Sequence, residues 1–378
     1  MDEVTYKPAK TGYQVFMEEE GIPIAEGYGI EDVTELPRKP WKRLGGTGSY
    51  IDLKGGGGVT GMYVAEIPSG GALNPEKHLY DKLIYVLKGR GATEVWQEGQ
   101  KKQLFEWGEG AIFAPPLNTW HRLVNGASEP AIVLAVTTAP LVVDLFRDPQ
   151  FIFNSDYHFK SRFDGQADYF KSQDKYYKAH KTQIWETNFI SDARSAKVEA
   201  APYKQAKGGL TCFEMSDNCL IGHISDWPTG IYHKAHYHAA GAVLLVLRSS
   251  GYMLMWPKEL GIHPFESGYG DRVVRFNWKP GSVYSPPDGW FHMHLNSGKE
   301  DARHVALRLG SRKNPTLLHD ATSGREGVVT SLREGGTLIE HEDEDPQIRK
   351  DFEAELKKTG VKNAMPPITY RTDPVKAA

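Results

Sequence analysis

Five histidines carry the chemistry this sequence offers most plainly. His233, His236 and His238 fall within six positions of "GIYHKAHYHAAGAVLLVL" (230–247), and His292 and His294 follow the turn "PPDGW" later in the chain. On an extended strand alternate side chains share a face, so His236 and His238 point one way and Tyr237 the other; His292 and His294 share a face for the same reason. Three neutral imidazoles that met would form a facial site suited to iron, nickel, zinc, copper or manganese, with coordination positions left open. The strand that follows, "AVLLVL", contains no carboxylate. Two histidines and a carboxylate would leave a divalent ion at net +1, whereas three histidines leave it at +2, which favours a substrate that chelates as an anion. His233 lies outside the alternating pair and reads as a loop residue with at most a proton-transfer role. His294 reads as a hydrogen-bonding support for a ligand or as a replacement for the absent carboxylate.

The elements that must position these residues occur twice. "GGALNPEKHLYDKLIYVLKGRGATEVW" and "PTGIYHKAHYHAAGAVLLVLRSSGYMLMW" align with His78 on His238, Gly91 on Gly251 and Trp96 on Trp256, all at an offset of 160 residues. "WGEGAIFAPPLNTWHRLVN" and "WKPGSVYSPPDGWFHMHLN" align with Trp107 on Trp278, Pro116 on Pro287, His121 on His292 and Asn125 on Asn296, now at 171 because the second copy carries extra loop in "PKELGIHPFESGYGDR". Several matches in register mean a duplication. Short Val, Ile, Leu and Tyr runs broken by Gly, Pro, Asn and Asp make both copies all-β. The expected organisation is an extended N-terminal arm over 1–45, packed on another module or subunit, a first β module over 46–141, a linker with some helix and no strand alternation over 142–200, a second module over 201–312, and a C-terminal extension over 313–378. Within that extension Asp345 caps a charged surface helix.

Composition narrows the partners. With 45 basic and 48 acidic residues the net charge is −3, so nothing favours nucleic acid or an anionic membrane. Two cysteines, Cys212 and Cys219, are too few for a disulfide scaffold, and no apolar run reaches membrane-helix length. A cytoplasmic setting is expected. "GGGVTG" (56–61) contains GxGxxG, but the strand-like "MYVAEI" follows it, so it reads as a turn and not a phosphate loop.

The repeated pattern resembles the signature of the cupin superfamily, G-x5-H-x-H-x3,4-E-x6-G followed by G-x5-P-x-G-x2-H-x3-N. The second half is matched by "GSVYSPPDGWFHMHLN" from Gly281 through Pro287, Gly289 and His292 to Asn296, and by "GAIFAPPLNTWHRLVN" with Asn118 at the glycine position. In the first half Gly230, His236 and His238 match, while Ala242 or Val243 stands at the glutamate position; in the other copy Gly70 and His78 match, Glu76 replaces the first histidine and Lys82 the glutamate. The resemblance implies a bicupin of two double-stranded β-helix barrels, the convergence of His236, His238 and His292 on one metal ion, and a homo-oligomer. A three-histidine centre is similar to that of gentisate, salicylate and 1-hydroxy-2-naphthoate dioxygenases, which implies Fe(2+), dioxygen and a small hydroxylated aromatic acid as substrate.

Other expectations attach to this reading. Trp290 and Phe291 would wall a planar substrate, Tyr284 would line the same pocket, and Arg275 and Arg308 would steady a carboxylate. In the first copy Glu76, His78 and His121 form a degenerate site, read as metal-free because Lys82 would pair with Glu76 inside it. Two other functions stay open: a metal-dependent lyase, isomerase or decarboxylase of a small organic acid, and a non-catalytic small-molecule-binding protein.

Overall fold

The computed structural model describes residues 9–179, 182–199, 208–313, 330–373 and 375. Each half of the chain builds one large sheet facing one three-stranded sheet. In the first half the large sheet runs Ile24–Gly27, Thr47–Leu53, Gly61–Ile67, Ala131–Thr137, Lys82–Lys88, Ile112–Phe113, Phe189–Ile190, with Lys39–Pro40 alongside; the small sheet is Trp120–Val124, Gly91–Trp96, Gln103–Trp107. The second half repeats this with Lys175–Ala179, Thr182–Glu186, Gly209–Glu214, Leu220–Trp227, Ala302–Leu309, Val243–Arg248, Val283–Tyr284 and Gly29–Ile30, faced by Val274–Trp278, Gly251–Pro257 and Trp290–Leu295. The chain is thus all-β, a pair of jelly-roll modules with a partly helical connection and a C-terminal helix.

The last strand of each large sheet comes from the wrong half, and this corrects two expectations. The N-terminal segment is not a simple extended arm: it forms a helix, Gly12–Glu19, adds Ile24–Gly27 in parallel to its own module, then sends Gly29–Ile30 to pair with Val283–Tyr284 of the other. The linker is not free of strands either. After helices Ala139–Phe146 and Pro149–Asn154 it contributes a hairpin, Lys175–Ala179 with Thr182–Glu186, to the second module and returns Phe189–Ile190 to the first. The crossings are equivalent: Val33 donates to the Gly281 carbonyl at 3.0 Å and Ala193 to that of Gly110 at 2.8 Å, positions related by the same two offsets as the repeat.

Reciprocal exchange locks the outer faces of the two large sheets together. Val64, Leu83 and Leu134 of one pack with Phe213, Ile224, Leu245 and Val305 of the other in a single buried cluster. Because the inner faces are also buried, "LIYVL" and "VLLVL" read as continuous apolar runs where a one-sided sheet would alternate. The C-terminal helix, Pro346–Thr359, starts at Asp345, whose side chain accepts from Gln347 N, and ends at Gly360 with φ 71°. It lays Ile348, Phe352 and Leu356 on the outer face of the second small sheet, where each buried side chain contributes about 1.5–3 kcal/mol. Asn118 has φ 51° where Gly289 has φ 65°, so the turn ahead of His121 survives the loss of glycine as expected. Among the described residues no helix is long and apolar enough to cross a membrane.

Candidate metal centre

Backbone pairing decides which side chains meet. His236 N donates to His292 O at 3.1 Å and His292 N to His236 O at 2.9 Å, so the two residues face each other directly across a bridge and their rings lie on one side of it. His238, two residues on, joins them. The ring centroids stand 4.5 Å (His236–His292), 4.7 Å (His238–His292) and 5.9 Å (His236–His238) apart, and one ligand atom from each residue lies within 4.8 Å of the other two. The rings are 2–9% exposed.

The tautomers suit a metal. His236 Nδ1 lies 3.2 Å from Lys234 O, His238 Nδ1 2.7 Å from Ala239 O and His292 Nδ1 3.1 Å from Trp290 O. A carbonyl can only accept, so each Nδ1 carries the proton and each Nε2 keeps the lone pair a metal needs. The donor set therefore fits a divalent ion.

These rings open on a cavity of about 50 Å³ inside the second module. His223, Ser225 and Trp227 reach it from one strand, Ala306 and Arg308 from another, with Leu210, His233, His294, Leu244 and Ala242 completing the wall. No carboxylate lines it. Ala242 sits at the position of Lys82 in the repeat, so the room a lysine fills in one module is cavity in the other. His294 stacks on Trp227 at 4.7 Å, and its Nδ1 lies 3.1 Å from the Tyr284 hydroxyl. Burial, reinforced by the neighbouring His292, holds the His294 imidazole well below the usual histidine range.

The other sequence candidates separate. Arg308 and His233 line the cavity. Tyr284 does not, but touches it through His294. Trp290 packs on Tyr28 at 5.7 Å, away from the cavity wall, and Phe291, of opposite parity to His292, packs with Tyr237 and Trp256 under the C-terminal helix. Arg275 is on the wrong face: it stacks on Tyr252 at 3.8 Å and lies 3.5 Å from Glu355, on the outer side of the small sheet. The sequence reading missed His223, Ser225, Trp227 and His304. Period-two alternation in "LIGHISDW" and "ARHVALRL" is the signal that would have found them.

In the first module Glu76 and His121 occupy the same bridge, exchanging hydrogen bonds of 2.9 Å each way. His78 and His121 again give Nδ1 to carbonyls, those of Tyr80 and Thr119. Lys82 makes an ion pair with Glu76, and Arg43, from the N-terminal segment, reaches the other carboxylate oxygen at 2.9 Å. A ligand atom from each of Glu76, His78 and His121 lies within 4.8 Å of the others, so the geometry of a site persists, with a lysine ammonium against its carboxylate. Burial alone would raise the Glu76 carboxyl, but Lys82, His121 and Arg43 hold it well below the ordinary value of 4.5. Burial and the Lys82 charge push both His78 and His121 down.

A carboxyl whose pKa is lower folded than unfolded stabilises the fold fully above its unfolded value and loses that contribution as pH falls through its folded one. The stability of the wild type to urea should therefore fall from about pH 4.5 downward, and Glu76→Gln, less stable at pH 7, should lose less over the same window. Equal slopes in the two proteins would contradict this.

Residues 63–137 match the family model described as Cupin domain. Comparison with curated proteins finds no match. Among solved structures, oxalate decarboxylase from Bacillus subtilis is similar at 12% identity and a TM-score of 0.47, over 75% of this chain and 76% of that one. The Lactobacillus farciminis oxalate decarboxylase formate complex gives 10% and 0.47 over 76% and 86%, and vicilin from Corylus avellana 10% and 0.46 over 75% and 85%. Likenesses of this size carry no argument about function. The family match falls within the first module, and the second repeats the same two-sheet arrangement.

Proposed function

We propose that the second module is a divalent-metal centre acting on a small carboxylic acid, by lyase, isomerase or decarboxylase chemistry. The observation that carries this is a cavity walled by six imidazoles and one guanidinium, with no acidic side chain. A metal ion held by His236, His238 and His292 keeps its full +2 charge, because no carboxylate stands among its ligands, and this favours a ligand that brings negative charge of its own.

Size argues against an aromatic substrate. A dry cavity that accepts benzene measures about 150 Å³, and the space here is about 50 Å³, room for an acid of a few heavy atoms. The aromatic dioxygenase reading retains the three-histidine set in its favour, and Fe(2+) remains the first metal to test, with Ni, Mn, Zn and Cu beside it.

Within this reading the protein's own groups divide the work. His236, His238 and His292 hold the ion by Nε2. Arg308 matches a carboxylate with its planar fork. His294, fixed at Nδ1 by the Tyr284 hydroxyl, holds or moves a proton at Nε2 on the cavity side. The ion, when bound, supplies Lewis-acid polarisation of the substrate's oxygen.

Metal analysis of protein loaded anaerobically with each ion is the test. One equivalent per chain, followed by turnover of short-chain acids without oxygen uptake, is the expected result. Stoichiometric oxygen consumption with a hydroxylated aromatic acid would return the assignment to a dioxygenase, and no metal uptake at all would remove both.

A further inference from the structure

The interior of the second module beneath the histidine triad differs in kind from that of the first. Applying the repeat's two offsets, His233, Ser225, Trp227, Tyr284, His294 and His304 stand where the first module has Leu73, Ala65, Ile67, Phe113, Leu123 and Val133. The strand pairing supports the match: His304 lies opposite Ser225 as Val133 lies opposite Ala65, and His233 N bonds to His294 O as Leu73 N bonds to Leu123 O. All six residues of the first module belong to its buried apolar core. The fold therefore does not need polarity at these positions.

The polar set is also expensive where it stands. Ser225 Oγ, Trp227 Nε1 and both nitrogens of His304 are closed off from water and have no hydrogen-bond partner among the described residues. His304 is 0% exposed and stacks on Trp227 at 3.8 Å. Trp278 Nε1 is likewise unpartnered, whereas its counterpart Trp107 donates to Thr93 at 2.9 Å, a residue replaced by Met253 in the second module. Each such group carries a desolvation cost that nothing recovers while it is left unsatisfied. Indole N–H groups only donate, a hydroxyl can donate, and a neutral imidazole always has one N–H to give. Of these residues Ser225 and Trp227 line the cavity, together with His233, His294 and the triad, so an oxygen-rich group inserted from it would satisfy those two, with His304 stacked behind Trp227.

We infer that this layer is a second recognition site, and that the ligand is a short aliphatic acid with two oxygen functions, one directed to the metal and the other, a hydroxyl or second carboxylate, to Ser225 and Trp227, with His304 supporting Trp227 from behind. The inference rests on the metal reading above and narrows its substrate class. It separates a hydroxy or dicarboxylic acid from a simple monocarboxylate.

The test imports the first module's residues into the full-length chain as Ser225→Ala/His304→Val, with Ser225→Ala alone as a milder change. Each protein is loaded with Co(2+), its metal content measured, and its visible spectrum titrated with acetate, glycolate and oxalate. The wild type should bind glycolate or oxalate at least about tenfold more tightly than acetate, as one well-placed hydrogen bond to a charged group allows. The double variant should keep its cobalt, melt no lower than the wild type, and lose that preference. Discrimination preserved in both variants would overturn the inference, as would a wild type that takes up cobalt and binds all three acids alike; either leaves the metal reading standing. A wild type that takes up no cobalt would overturn the metal reading, and this inference with it.

Discussion

Alanine at His292 should empty the second module of metal, taking the content of anaerobically loaded protein from one equivalent per chain to below about a tenth. His292 is the ring common to both short distances in the triad, 4.5 Å to His236 and 4.7 Å to His238, while those two stand 5.9 Å apart. Without it the site has two nitrogen donors and, since no carboxylate lines the cavity, nothing to replace the third. Loss of a mere outer hydrogen-bond partner costs about 10–100-fold in metal affinity, so loss of a ligand should cost at least that. Thermal stabilisation by added metal should vanish with the content. His233→Ala, in the same cavity but outside the triad, should keep its metal, which separates ligand loss from a general collapse of the barrel. Unchanged metal in His292→Ala would dismiss the triad as the site.

Replacing Lys82 with alanine should produce the other large effect, a loss of about 3–5 kcal/mol in metal-free protein, because it leaves the Glu76 carboxylate buried without its nearest cation. Arg43 stays within 2.9 Å of Glu76, but it is shared with Glu20 at the same distance and compensates only in part. Lys82 itself is fully enclosed, and burial lowers its pKa although Glu76 opposes the shift. With the ammonium gone, Glu76, His78 and His121 retain their mutual geometry and their tautomers, so added Mn(2+) or Zn(2+) should restore most of the stability and raise the metal content by one equivalent. Urea unfolding with and without metal measures both. A Lys82→Ala protein as stable as the wild type, or one indifferent to added metal, would show that the lysine is not what stands in the ion's place.

Both predictions derive from a comparison of the two halves that was readable before any fold was known. The offsets of 160 and 171, the alternation of His236 with His238, the substitution of Glu76 and Lys82, and the tolerance of Asn118 for a left-handed turn are all local or periodic features. Periodicity survives folding because side-chain direction on a strand is set by the backbone itself. Single candidates named without that support fared worse. Arg275 and Phe291 were chosen by residue type near the site, and both sit on the outer face of the small sheet, one strand parity away.

The N-terminal segment and the linker were misread because short strands carry no pattern. Gly29–Ile30 and Phe189–Ile190 are two residues long, too brief for alternation, and each exists only because the other module offers an edge to pair with. Arg43 was invisible for a related reason: an arginine in an apparent arm has no local mark that it will pair with Glu76, 33 residues on.

By itself the sequence determined the duplication, the all-β class and which copy keeps three histidines in register, since these are properties of spacing. The packed modules add that no carboxylate lines the cavity, that its volume is about 50 Å³, and that a second polar layer lies beneath the triad. Those depend on which strand faces which across the module, and long-range pairing of that kind is fixed by packing of the whole sheet, not by any segment read alone.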